Sequence, residues 1–431
     1  MTARPRATPP RDQQPERAAL VGLIAGRARR TAAEHALDEL AGLAEAAGAT
    51  VVLRMLQDRD RPDPATFLGR GKVQALAAAC DESGADLVVF DNELSPAQLR
   101  NLEGALGRKV LDRTQLILDI FARRARTREG KLQVELAQLR YLLPRLVGAA
   151  PALSRLGGGI GTRGPGETKL ETDRRRLRHR ISALSREIEA VRQRRGQLRE
   201  RRHRTAVPTV ALVGYTNAGK TTLFNLLTRS GAEASNALFV TLDPLVRRVR
   251  LPDRRELLLS DTVGFIDQLP HTLVAAFRAT LEEVADADLL LHVIDVASPD
   301  RDRQVAAVRR VLEEVGADRV PALDVFNKCD LAEPAELDRL RARHPSAIYV
   351  SALTGDGREE LLETMASRVA LDTRTVTFEL RADDASDRER IATLYRHARV
   401  LSHVATDGRV SIEAEVPRRL LDRLESGGRG A

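Results

Sequence analysis

Residues 214–222 read Gly-Tyr-Thr-Asn-Ala-Gly-Lys-Thr-Thr. They fit the phosphate-loop pattern G-x-x-x-x-G-K-[ST], with Gly214, Gly219, Lys220 and Thr221 at the fixed positions. The chemistry implied is phosphoryl transfer. Backbone N–H groups from Tyr215 through Ala218 would wrap phosphate oxygens, and the helix beginning near Thr221 and Thr222 would present its positive end to them. Lys220 would reach the β- and γ-phosphates, and the Thr221 hydroxyl would ligate Mg²⁺. The apolar run 209–213 before the loop reads as a buried parallel strand, and 221–228 after it reads as a helix.

Four further clusters narrow the nucleotide to GTP. Asn327-Lys328-Cys329-Asp330 follows a strand-like run at 322–326. Asp330 can accept from guanine N1–H and N2–H₂, a donor pair adenine lacks, and a site built around such donors rejects the analogue without them. Asn327 would tie this loop to the phosphate loop, and the Lys328 stem would lie over the base. Asp261-Thr262-Val263-Gly264 follows the run 256–260; Asp261 would hold Mg²⁺ and the Gly264 N–H would meet the γ-phosphate. Thr241, in Phe239-Val240-Thr241, lies between these motifs and is the candidate switch threonine on Mg²⁺. Ser351-Ala352-Leu353 fits the last guanine-contact loop, with the Ala352 N–H facing guanine O6. Lys220, Thr241 and Gly264 are the expected catalytic groups, and Thr221, Thr241 and Asp261 the expected metal ligands.

Two positions bear on rate. Phe265 follows Gly264, where Ras-like enzymes carry a water-orienting glutamine. Phenylalanine cannot orient water, so slow intrinsic hydrolysis and acceleration by a partner are expected. Asn217 resembles the loop residue of GTPases that bind K⁺ as a surrogate arginine finger; an ordinary loop residue is the equal alternative.

The elements that must position these groups can be read along the chain. At 431 residues, about three domains of ~150 residues are expected. Residues 1–17, rich in Pro, Arg and Gln, read as a disordered tail. Residues 18–112 alternate strands (21–24, 50–56, 86–90, 109–111) with helices (32–47, 72–82, 95–106), which implies a small parallel sheet covered by helices. Gly69-Arg70-Gly71-Lys72 lacks phosphate-loop spacing and reads as a turn into a helix. Residues 113–206 carry two heptad stripes: Leu132, Leu136, Leu139, Leu143 and Leu146, then Leu177, Ile181, Leu184, Ile188 and Val191. They imply a long antiparallel helical hairpin, with Pro144 ending or kinking its first arm. Its tip, 157–167, is glycine-rich and is expected to be neither helix nor strand. Residues 207–370 form the GTP-binding domain, α/β with a mostly parallel sheet and helices on both faces. Residues 371–431 form a small α+β domain: a strand at 375–380, a helix at 385–397, a hairpin through 406–408 and a last helix over 416–425.

Charge is concentrated. Residues 171–204 hold 13 Arg and 5 acids, an excess equal to the whole chain's +8. A cationic element on a balanced body points to a polyanion such as RNA, with Arg163, Lys169, Arg174, Arg175 and Arg176 as candidate contacts. The chain has six lysines, and two of them, Lys220 and Lys328, stand where nucleotide chemistry calls for a compact charge. Two cysteines cannot build a disulfide framework, no apolar run reaches the ~18–20 residues of a membrane span, and no signal peptide is visible, so a cytoplasmic protein is expected.

With these residues in place, the chain resembles the bacterial HflX family of GTPases over nearly its whole length. The match runs through Arg61-Pro62-Asp63-Pro64-Ala65-Thr66, Glu93-Leu94-Ser95-Pro96, Ala125-Arg126-Thr127-Arg128-Glu129-Gly130-Lys131, the loop from Gly157 to Glu167 and on into Leu170-Glu171-Thr172-Asp173, and the G-domain motifs. Asp267-Gln268 departs from it where a basic residue is common, as does Cys329 where Ile is common. The resemblance implies a translational GTPase that binds the large ribosomal subunit, splits stalled or stressed ribosomes, and is stimulated by that subunit. It also implies that the hairpin tip reaches toward the peptidyl transferase centre. Two other functions fit the residues alone: a GTP-gated RNA-binding factor in RNA maturation, and a regulatory switch for a protein partner. Nothing demands more than a monomer.

Overall fold

The structure, a computed structural model, describes residues 15–24, 30–146, 165–204, 207–232, 238–239, 241–242, 244–267, 283–369, 373–406, 409–417 and 421. The chain divides into two compact units. Of the described residues, the first runs to Glu187 and also takes in 238–239; the second holds the rest.

In the first unit, β1 (Arg17–Ile24), β2 (Thr50–Asp58), β3 (Leu87–Phe90) and β4 (Lys109–Asp112) form a parallel sheet in the order β2-β1-β3-β4. Helices α1 (Arg30–Ala46), α2 (Arg70–Ser83) and α3 (Pro96–Leu106) alternate with the strands. Ser95 caps α3 in a reciprocal box with Gln98, and Pro96 occupies the first turn, the arrangement that satisfies orphan N–H groups. Gly69 is the N-cap of α2, so the Gly-Arg-Gly-Lys stretch is the turn into a helix. Val21, Leu68, Leu76, Val88, Phe90 and Leu102 are central to the core. Asp112 is fully buried. It caps α4 (Arg113–Arg124) through Gln115 N–H at 2.9 Å and accepts from Arg145 at 3.1 Å.

The expected continuous helix from 113 is broken. It stops at Arg124, and α5 (Arg128–Arg145) restarts on a Thr127 cap that accepts from Gly130 N–H. Threonine competes for local backbone donors, which is why it restarts a helix rather than continuing one. Pro144 lies inside the last turn of α5 and the helix ends one residue beyond it. The second arm, α6 (Pro165–Arg204), is 40 residues long. It begins earlier than the glycine-rich reading allowed: residues 165–167 are its first turn, because proline suits N1. The rest of that tip, 157–164, lies outside the described residues. Arg180 grips Glu135 through two bonds of 2.7 and 2.8 Å, and Arg128 meets Glu187 at 3.4 Å. These pairings run in opposite sequence directions, so α5 and α6 are antiparallel. Leu184 sits on the seam with no exposed surface.

The second unit holds a six-stranded sheet, order β10-β9-β8-β5-β7-β6. Its strands are β5 (Thr209–Gly214), β6 (Leu245–Arg250), β7 (Glu256–Asp261), β8 (Leu289–Asp295), β9 (Ala322–Asn327) and β10 (Ile348–Tyr349). All neighbours pair in parallel except β6, which is antiparallel to β7. Neither β6 nor β8 was read from the sequence. The helices are α7 (Lys220–Thr228), α8 (Arg301–Glu314), α9 (Pro334–Arg343) and α10 (Arg358–Val369). Strand β5 lies between β7 and β8, so its carboxyl end opens on the point where strand order reverses, the place where such sheets bind ligands.

A three-stranded antiparallel sheet follows, order β11-β13-β12, from β11 (Thr373–Arg381), β12 (Arg399–Thr406) and β13 (Arg409–Pro417), with α11 (Ala385–His397). Leu394 of α11 packs with Ile412, Ala414 and Val416. Val416 was expected to open a helix; it lies within β13 instead, because its side chain completes the alternating buried face of that strand.

Candidate functional site: a phosphate loop, two switches and a base pocket

Gly219 takes φ 89° as the N-cap of α7, and a Cβ there would stand 2.2 Å from Asn327 Nδ2. Only glycine fits that approach. Asn327, almost fully buried, donates to Ala218 O at 2.9 Å and accepts from Ala352 N–H at 2.9 Å. One side chain thus joins the phosphate loop, the Asn-Lys-Cys-Asp loop and the last guanine loop. Ser351 Oγ donates to Asp330 Oδ1 at 2.6 Å. Lys328 takes φ 66° and pairs with Asp295 at 2.7 Å. Leu353 is 80% exposed.

At the phosphate end, Lys220 Nζ donates to Gly214 O at 3.1 Å and Tyr215 O at 2.8 Å. Burial lowers its ammonium to about 8, with Asp261 opposing that shift. Thr221 Oγ1 lies 2.8 Å from Thr241 Oγ1 and donates to Asp261 Oδ2 at 2.8 Å, and Thr241 Oγ1 donates to the same oxygen at 3.0 Å. The three residues expected to share a metal are therefore together. Asp261 Oδ1 is buried with no hydrogen-bond partner, as is Thr216 Oγ1. Burial raises the Asp261 carboxyl, and Lys220 and the two threonines counter it only in part. A carboxylate so placed is short of positive charge, which a divalent cation would supply. A hard oxygen set of this kind fits Mg²⁺.

Gly264 lies against the phosphate loop: a Cβ there would stand 2.9 Å from Thr216 Cα and 3.1 Å from Lys220 Nζ. Phe265 is 2% exposed; its O accepts from Thr216 N–H at 2.7 Å and its N–H donates to Gly214 O at 3.0 Å. Its ring is therefore packed inside and offers nothing to a water. Asn217 is exposed with φ 60°.

Phe239, 3% exposed, meets the Phe121 ring of α4 edge-on, with centroids 4.7 Å apart. Of the candidate RNA contacts, Arg163 lies outside the described residues, and only the helical backbone is described at Lys169. Arg174 pairs with Glu171 at 3.7 Å and Arg176 with Asp173 at 3.6 Å, while Arg175 is exposed. Sequence reading missed the Asp267 carboxylate, which Arg303 and Arg310 hold. The only sequence signal was Asp267 itself, standing where a basic residue is common.

Family models match three successive regions: "GTP-binding GTPase N-terminal" over 34–122, "GTP-binding GTPase Middle Region" over 124–202 and "50S ribosome-binding GTPase" over 209–328. GTPase HflX of Caldanaerobacter subterraneus subsp. tengcongensis is 46% identical over 411 residues, 95% of this chain and 93% of its own length. GTPase HflX of Escherichia coli K12 is 47% identical, covering 88% of this chain and 89% of its own. The chain belongs to the HflX family of GTPases. A crystal structure of a GTP-binding protein from Sulfolobus solfataricus in complex with GDP is 26% identical, covers 82% of this chain and 98% of its own, and has a TM-score of 0.45. As an HflX-family member the chain is a GTP-binding enzyme that hydrolyses GTP. Among the described residues no helix is long and apolar enough to cross a membrane.

Proposed function

We propose that this HflX-family GTPase works in the cytoplasm on the large ribosomal subunit and separates stalled or stressed ribosomes into their subunits. The observation that carries the reading is Phe265, packed inside at the position of the water-orienting glutamine. A site with its phosphate and metal groups assembled but no such residue needs its water placed by something outside the chain. The family description "50S ribosome-binding GTPase" names the class of partner.

In this reading Lys220 and the loop N–H groups other than that of Thr216, which donates to Phe265 O, bind the phosphates, and Gly264 N–H meets the γ-phosphate. Thr221, Thr241 and Asp261 would hold Mg²⁺, which would supply positive charge to the phosphates. Asp330, Lys328, Asn327 and the loop Ser351-Ala352-Leu353 hold guanine. Asn217 is the candidate to hold K⁺, and a rate indifferent to exchanging K⁺ for Na⁺ would remove that role. GTP orders the stretch around Thr241 and Gly264. The ordered switches favour docking of the hairpin on ribosomal RNA, docking obstructs subunit joining, and hydrolysis releases the factor.

The RNA contact is assigned to one face of α6. Arg175, His179, Ser182 and Arg186 step by four, three and four, and all are exposed. Arg178 is exposed beside them. Arg174 and Arg176 contribute less, because near acids already neutralise them. The test is a sucrose gradient of intact ribosomes with the full chain and a non-hydrolysable GTP analogue. Conversion of intact particles into separate subunits is expected; an unchanged profile at saturating protein would refute splitting.

A further inference from the structure

Asp267 lies two residues beyond Phe265 and is 9% exposed. Its Oδ2 accepts from Arg303 Nε at 2.9 Å and Nη2 at 2.7 Å, and its Oδ1 accepts from Arg310 Nη2 at 3.4 Å. Both arginines come from α8. The Asp267 N–H donates to Tyr215 Oη at 2.8 Å, and Tyr215 belongs to the phosphate loop. One residue therefore ties the segment just beyond Gly264 to the phosphate loop and to α8.

We propose that Asp267, clasped by Arg303 and Arg310, is a positioning residue that holds Gly264 against the phosphate loop and so favours GTP over GDP.

The clasp is the end of a short zipper. Thr216 N–H to Phe265 O and Phe265 N–H to Gly214 O pair the two segments residue against residue, and Ile266, 1% exposed, is sealed beneath. The Asp267 bonds fix the free end of that pairing. A nearly buried carboxylate is costly unless charge partners meet it, and a bidentate arginine with a second arginine behind it meets that cost with fixed geometry. The zipper holds the Gly264 backbone where a Cβ would stand 3.1 Å from Lys220 Nζ, the ammonium assigned to the γ-phosphate. GDP has no γ-phosphate and gains nothing from that placement. A contact that improves only one ligand's site shifts preference toward that ligand and leaves the other alone.

Nothing in the phosphate-loop or Asp261 motifs specifies this clasp. Arg303 and Arg310 lie 36 and 43 residues from Asp267. The inference takes the GTP site described above as given.

The test measures binding of GDP and of a non-hydrolysable GTP analogue, with Mg²⁺, to the full chain and to Asp267→Asn, Arg303→Met and the double variant. Each single variant is expected to lose about tenfold in affinity for the analogue, the scale of one charged hydrogen bond, and to keep GDP affinity within about twofold. The double variant should be no worse than the poorer single one, because both act through one contact. A parallel loss for both nucleotides would show a structural role only, and unchanged affinities would show no role; either overturns the proposal. Should Asp267→Asn fail to fold, Arg310→Met decides, since its side chain is 64% exposed. A smaller loss confined to the analogue is then expected, and no change or a parallel loss overturns the proposal.

Discussion

Asp330 is exposed, yet its carboxylate is aimed, because Ser351 Oγ donates to Oδ1 at 2.6 Å and Cys329 N–H anchors the loop on Val350 O at 3.2 Å. These bonds fix the loop proposed to meet guanine. Replacing Asp330 with Asn turns an acceptor pair into one acceptor and one donor. Asp330→Asn should weaken GTP at least about tenfold while improving xanthosine triphosphate, whose base carries an oxygen where guanine carries the amino group. Competition of the two nucleotides against a fluorescent GTP analogue measures this, and equal weakening of both would refute the assignment. At the other end, Thr241 adds a hydroxyl to the Asp261 cluster. Thr241→Ala should lower kcat by about 100-fold, with GDP affinity nearly unchanged, if its role is confined to the triphosphate state. The motif residues were legible from sequence because phosphate and base geometry fixes their spacing. The Asp267 clasp was not, since its arginines are distant in sequence and resemble the chain's many other arginines.

At the scale of elements, two pairings invite different magnitudes. Leu184 of α6 has no exposed surface, so Leu184→Ala should cost about 2–5 kcal/mol of stability. The Arg180–Glu135 pair on the same helices is 49% and 40% exposed at its side chains, so Arg180→Ala should cost far less than Leu184→Ala despite ideal geometry. Chemical denaturation of the two variants checks the ranking. In the GTP-binding sheet, His292 of β8 meets Asp324 of β9 at 2.9 Å. Burial alone would raise the Asp324 carboxyl, but the His292 bond and charge and Arg309 outweigh it and hold it below the ordinary value. A depressed carboxyl stabilises the fold above its unfolded pKa, and that contribution is lost as pH falls through the folded pKa. In His292→Leu, burial acts with less opposition, so the acid unfolding midpoint should move to higher pH. An unmoved midpoint would contradict the pairing. Strands β5, β7 and β9 were readable as apolar runs before motifs. The antiparallel β6, Leu-Val-Arg-Arg-Val-Arg with only Val249 buried, carried too little apolar signal to be seen. The break at 125–127 lies before the heptad stripe, which begins at Leu132, and its one local signal is the Thr127 cap.

For the whole molecule, the concentrated charge of 171–204 and the internal site of Phe265 make separate demands. If the exposed face of α6 meets phosphates, affinity for the large subunit should fall steeply with salt, and replacing Arg175, Arg178 and Arg186 by Gln should flatten that slope by about three. GTP affinity should be untouched by either change. We propose that this chain assembles its own GTP site and borrows activation from the ribosome. Steady-state GTP hydrolysis by the full chain tests it most directly, measured alone, with purified large subunits, with small subunits and with total transfer RNA. Slow turnover alone, and stimulation of at least about 100-fold by large subunits only, is the result the account predicts. Fast turnover by the isolated chain, or no stimulation by any ribosomal particle, would contradict it.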